Sequence, residues 1–104
     1  MKINLKEILK DGRDANMVDP TSGETLTLET ISYIALSSMT QQEVNLGRDE
    51  RLKRGRLAQR IVSAENGEID LKSEEITLIK QCIGNSFGPW VVAQTEDMLD
   101  PQTT

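Results

Sequence analysis

Apolar residues recur at helical spacing in four stretches of this 104-residue chain, and that repeat most constrains its fold. The first stretch follows Thr27, a favourable N-cap residue, and continues toward Met39. The second is predicted over residues 49–64, and the third begins at Ser73. The fourth opens at Pro89, because proline is well tolerated at the first helical position. The spacing predicts three or four short helices, each with one apolar face.

The N-terminal quarter carries turn signals in place of a helical repeat. An Asp-Gly pair lies at 11–12, and an Asp-Pro-Thr-Ser-Gly run lies at 19–23. The flanks of the second turn, 15–18 and 24–26, predict a short hairpin. Residues 3–9 fit either a strand or a short helix, and we favour the strand. We therefore predict a mainly helical α+β fold, with an N-terminal β-hairpin packed on three or four short helices.

The length suits one hydrophobic core. We expect a single domain over residues 1–100, with a strand and hairpin region at 1–26, a helical region at 27–100 and a frayed tail at 101–104. Aromatic residues make up only 3% of the chain, so Ile, Leu, Val and Met must build the core. The chain has one cysteine, no signal-peptide pattern at its start and no apolar run of about 20 residues, which predicts a cytoplasmic protein.

The chain contains no histidine, which removes the usual base for activating a serine or cysteine nucleophile. Cys82 alone is too little for a structural zinc site, and we expect it to be a small core residue. Residues 66–70 resemble the middle of an EF-hand loop. Placing Gly67 at the sixth position, however, puts Val62 first and Ser73 last, so the terminal carboxylate ligands are missing. We predict a protein that is not an enzyme, with no catalytic residues, no cofactor and no metal.

Positive charge is concentrated at residues 48–60, although the net charge of the chain is −5. Six of the twelve Lys and Arg residues lie there beside two acids, so this segment carries +4 and the remainder −9. Lys53, Arg56 and Arg60 share one face of the predicted helix. The predicted opposite face consists of Leu52, Gly55, Leu57, Ala58, Ile61 and Val62. We assign the three basic residues, together with Arg48, to a surface that binds an acidic partner.

A glycine inside a helix costs about 1 kcal/mol relative to alanine, so its presence indicates a packing reason. Gly55 lies on the predicted inner face of the second helix. We therefore expect a neighbouring element to approach it closely, with Tyr33 or Trp90 lying over it.

The order of the motifs along the chain is also informative. A short N-terminal strand precedes an Asp-Pro-x-x-Gly-Glu turn at 19–24, a Leu-Thr-Leu helix start at 26–28 and a Leu-Lys-Arg helix at 52–54. The run from Glu68 to Glu75 then leads to a Val-Val ending at 91–92. This layout resembles small uncharacterised proteins encoded by tailed bacteriophages, over nearly the whole chain. The resemblance implies a viral protein expressed inside a bacterium and supplies no site residues.

We expect a non-catalytic protein–protein interaction module of a phage. It would be either an assembly accessory or a factor that binds and modulates a host protein, in the host cytoplasm or on the virion. One alternative is a nucleic-acid-binding protein that uses the basic helix 48–60. It fits less well, because the whole chain is acidic and no aromatic residues are interleaved with the basic ones. A second alternative is an acidic DNA mimic, but the acids form no dense run.

Overall fold

The computed structural model describes residues 1–38, 46–64 and 66–99 and confirms a mainly helical α+β fold. The elements, in chain order, are β1 (Lys2–Asn4), α1 (Leu28–Ser37), α2 (Arg48–Val62), β2 (Glu68–Asp70), α3 (Ser73–Ser86) and α4 (Pro89–Leu99). All four predicted helices are present. The expected continuation of the first helix to Met39 and the expected frayed tail at 101–104 lie outside the described residues.

Local capping explains where the helices begin. The hydroxyl of Thr27 accepts a hydrogen bond from the backbone N–H of Thr30, as expected for the N-cap of α1. The N-cap of α3 is Lys72, although Ser73 is the residue type that favours this position. Its backbone N–H donates to Oε1 of Glu75 at 2.9 Å, which is half of a capping box. The start of each of these two helices therefore depends on side chains within one helical turn of its N-cap.

The predicted N-terminal hairpin is present as an isolated antiparallel bridge between Val18 and Thr25. Its turn is held by the carboxylate of Asp19, which accepts the backbone N–H of Thr21 at 2.8 Å. Gly23 completes the turn at φ +74°, a conformation that favours glycine. Two further isolated bridges extend the pairing along residues 8–27.

A second antiparallel pairing, between β1 and β2, was not predicted. It places Ile3 opposite Ile69 and confirms the strand interpretation for the start of the 3–9 segment. Gly67 precedes β2 at φ +71°, and its carbonyl accepts the N–H of Leu5 at 2.6 Å. A Cβ atom on Gly67 would lie 2.6 Å from the exposed side chain of Lys6, so a substitution would displace that side chain as well as strain the backbone.

The core is aliphatic, as expected from the scarcity of aromatic residues. Helix α1 packs against both α2 and α3, and α4 packs against α3. Cys82 is buried among these helices, which agrees with its expected place in the core. The fully buried large side chains include Ile3, Leu5, Leu9, Leu28, Ile31, Ile61, Leu71, Ile79, Ile83 and Leu99.

The inner face of α2 is rotated from the predicted one. Leu52 and Val62 are 42% and 49% exposed, whereas Arg54 is only 6% exposed. The buried set is Arg54, Leu57, Ala58 and Ile61, which has the i, i+3, i+4, i+7 spacing of one narrow seam. At about 100° per residue, Leu52 lies on nearly the opposite side of the helix from the centre of that seam. The prediction that Leu52 belongs to the inner face of α2, which rested on its apolar character alone, is therefore wrong.

The prediction of a close approach at Gly55 is wrong. Among the residues that the structure describes, no atom outside its own helical neighbourhood lies within 4 Å of the position that a Cβ would take. Trp90 does not cover it. Its indole N–H instead donates to the carbonyl of Lys10 at 2.7 Å, which ties α4 to the N-terminal segment. Gln94 strengthens this contact, because its amide both accepts the N–H of Lys10 and donates to its carbonyl.

Candidate partner-binding site between helices α2 and α3

Three of the four predicted binding residues line one shallow cavity of about 190 Å³. Helices α2 and α3 both pack on α1, and the cavity lies between their side chains. We call it the basic groove, and its lining residues are Lys53, Arg56, Leu57, Arg60, Glu75 and Leu78. Arg48, the first residue of α2, is exposed but does not line the groove.

The floor of the groove is apolar. Leu57 belongs to the buried seam of α2, and Leu78 is its counterpart on α3. Lys53, Arg56 and Arg60 lie along one edge of that seam, and all three side chains are exposed. Helical spacing therefore places the basic residues beside an apolar strip at the α2–α3 boundary.

Arg60 is held in place by the protein itself. Its Nη1 donates to Oε2 of Glu75, and its Nη2 donates to the carbonyl of Asp70 at 3.3 Å. Burial disfavours the charged form of Glu75, but the backbone N–H of Lys72 and the guanidinium of Arg60 outweigh that effect. The pKa of the Glu75 carboxyl therefore lies below its ordinary value. Glu75 thus joins α2 to α3 with one oxygen and caps α3 with the other.

Lys53 and Arg56 differ from Arg60 in this respect. Neither forms a hydrogen bond or an ion pair with any residue in the ranges 1–38, 46–64 and 66–99. Their charges are therefore uncompensated by the described part of the chain. The structure gathers Lys53, Arg56 and Arg60 as predicted, and it divides them into one internally paired cation and two that face solvent.

Sequence reasoning missed Glu75 and Leu78 as parts of this site. The buried residues of α3 are Ile76, Leu78, Ile79, Cys82 and Ile83. Leu78 directly precedes Ile79, so it widens the apolar arc of α3 to one side. Glu75 had no capping-box signal, because the residue three positions before it is Lys72 and a capping box has Ser or Thr at that position.

The groove is suited to binding an anion, because basic side chains lie along its edge. Its lining includes no Ser, Thr or Cys, and Cys82 lies buried in the core. Within the described ranges, no group of three Cys, His, Asp or Glu side chains is placed to hold a metal ion. The volume is below the range of about 300–1,000 Å³ typical of small-molecule sites.

None of the helices in the described ranges combines the length and apolar character needed to cross a membrane. Comparisons with protein-family models, curated proteins and solved structures find no match to this chain.

Proposed function

We propose that this chain is a non-catalytic protein–protein interaction module, which binds an acidic surface of its partner through Lys53 and Arg56. The observation that carries this proposal is that two uncompensated cations lie beside an apolar floor on one groove. In the phage context suggested by the motif order, the partner is a host or phage protein in the bacterial cytoplasm. The chain would then serve as an assembly accessory or as a factor that modulates a host protein.

A protein surface fits the groove better than a nucleic acid does. Affinity for nucleic acid rises with the number of phosphates that cations neutralise. Of the cations that line the groove, Lys53 and Arg56 are the two without a partner among the described residues, and the carboxylate of Glu75 lies in the same groove. The groove lining contains no aromatic side chain on which a base could stack. The net charge of −5 also repels a polyanion at long range.

The experiment compares two double variants that remove the same charge. Lys53→Ala with Arg56→Ala empties the basic groove of its solvent-facing cations, while Lys2→Ala with Arg13→Ala removes two exposed cations elsewhere. Each tagged protein is used to capture partners from phage-infected bacteria, and the captured partner is purified for stopped-flow association. We expect both variants to remain folded, with changes below about 1 kcal/mol, as is usual for surface substitutions.

The groove variant should associate about tenfold more slowly at low ionic strength, because exposed interface charges act mainly on the encounter rate. Added salt should reduce the difference in association rate between the groove variant and the wild type. The control variant should associate at nearly the wild-type rate. Equal rates for the groove variant and the wild type would show that the groove is not the interface. Salt-sensitive binding to DNA or RNA that only the groove variant loses would instead assign a nucleic-acid-binding function.

A further inference from the structure

We infer that the basic groove binds a peptide segment of its partner in which one apolar side chain has carboxylates one or two positions away. This inference rests on the proposed function and adds the chemical pattern of the bound segment. It follows from the two kinds of contact that the groove presents side by side, an apolar floor and a cationic edge.

The floor selects a single apolar side chain. Leu57 and Leu78 form it, and the cavity above them measures about 190 Å³. A space of this size is below that of sites for drug-sized ligands, which have about 300 Å³ or more. One aliphatic or aromatic side chain fills it, while the rest of the segment remains on the surface. The apolar contact therefore provides specificity at one position of the ligand.

The cationic edge selects the neighbouring carboxylates. Lys53 and Arg56 are three residues apart on α2, so their Cβ atoms are about 5–6 Å from each other. Successive residues of an extended peptide advance about 3.3 Å, so carboxylates one or two positions from the apolar residue reach these two cations. Long, flexible Lys and Arg side chains tolerate either spacing. The apolar residue and its acidic neighbours thus bind as a unit.

The carboxylate of Glu75 makes the two ends of the groove differ in charge. It pairs with Arg60 at one end of the groove, so that end carries little net positive charge, whereas the end with Lys53 and Arg56 carries both free cations. A ligand carboxylate placed against Glu75 would be repelled. Replacing Glu75 with glutamine removes this repulsion and releases Arg60 for the ligand, while the amide oxygen can still accept the N–H of Lys72.

The test is a selection from a randomised peptide library against the full-length chain, followed by binding measurements with a labelled synthetic peptide that carries the enriched pattern. We expect enrichment of one apolar residue with nearby Asp or Glu. Replacing the apolar residue of the peptide with alanine should weaken binding about tenfold, because the shallow groove buries only part of that side chain. Replacing Lys53 and Arg56 with glutamine should weaken binding about tenfold at low salt, and Glu75→Gln should strengthen it about threefold.

Other results would contradict the inference, and some of them would also contradict the proposed function. Enriched peptides that are acidic but show no apolar preference would overturn this inference and leave the proposed function in place. Enriched peptides without acids would overturn both. A selection that enriches nothing would overturn the inference, while the captured partner still tests the proposed function. Self-association by light scattering that the Lys53→Gln, Arg56→Gln variant loses would assign the groove to a second copy of the chain and overturn the peptide assignment.

Discussion

Replacing Arg54 with alanine tests whether the cations of α2 divide into a buried structural one and exposed binding ones. Arg54 is 6% exposed, and its Nε lies 3.8 Å from Oε1 of Glu50. Arg56, two residues later on the same helix, is exposed and lines the basic groove. We expect Arg54→Ala to lower the free energy of unfolding substantially, and Arg56→Ala to leave it almost unchanged.

The magnitude follows from what the buried side chain of Arg54 contributes. Truncation at Cβ removes two buried methylene groups, worth about 0.8 kcal/mol each. The space left behind adds about 1 kcal/mol, because the surrounding helices relax only partly. The side chain of Glu50 is 39% exposed, so solvent weakens this i, i+4 pair, which adds only about 0.3–0.5 kcal/mol. We therefore expect a loss of about 2–3 kcal/mol for Arg54→Ala, against less than about 0.5 kcal/mol for Arg56→Ala.

Urea unfolding followed by far-ultraviolet circular dichroism measures this difference. With an m-value of about 1–1.5 kcal/mol/M, the midpoint of Arg54→Ala should fall by roughly 2 M. Arg54→Met keeps an apolar chain of similar length and should recover most of the loss. Equal midpoints for Arg54→Ala and Arg56→Ala would refute the packing argument. A methionine variant as unstable as the alanine variant would show that the ion pair, and not the buried chain, supplies the stability.

Three further changes test other parts of the structure. Because the pKa of Glu75 is lowered in the folded state, its stabilising contribution should be complete above the ordinary carboxyl pKa and disappear as the pH falls through the lowered value. Glu75→Gln should flatten that part of the stability–pH curve, and an unchanged curve would contradict the assigned pKa. Gly67→Ala should destabilise by about 1–2 kcal/mol because of its positive φ and close contact, whereas Gly55→Ala should stabilise by about 0.5–1 kcal/mol in open helical space. Thermal unfolding of both alanine variants checks this pair, and shifts of the same sign would disprove the distinction. Trp90→Phe should cost about 1 kcal/mol through loss of the indole hydrogen bond to the N-terminal segment, and a denaturation midpoint equal to that of the wild type would show that this bond adds no stability.

Short-range features of the fold could be predicted from the sequence because their causes are local. The N-cap at Thr27, the turn at Asp19 and Gly23, and the start of α4 at Pro89 each depend on residues within a few positions. Capping oxygens and fixed backbone angles act over that distance whatever the rest of the chain does. The same holds for the basic stripe, since helical periodicity alone places Lys53, Arg56 and Arg60 on one face.

The basic groove needed the tertiary structure, because two of its six lining residues come from another helix and have no sequence signal for proximity. Leu78 and Glu75 belong to α3, and only packing of α2 and α3 on the same helix brings them beside the basic residues. The pairing of Arg60 with Glu75 then distinguishes a cation that joins two helices from two cations that face solvent. Three basic residues that are equivalent by periodicity thus have different surroundings.

Long-range pairing and the choice of buried face were likewise decided by tertiary contacts. Strand β1 pairs with β2 across more than sixty residues of chain, and neither three-residue strand carries a pattern that names its partner. On α2, hydrophobicity favoured Leu52 for the core, but the seam that faces α1 includes Arg54 instead. Sequence determined which segments are helical and where charge collects, because those properties depend on neighbouring residues. Which side of each helix is buried depended on the surfaces packed against it, and only the folded chain contains that information.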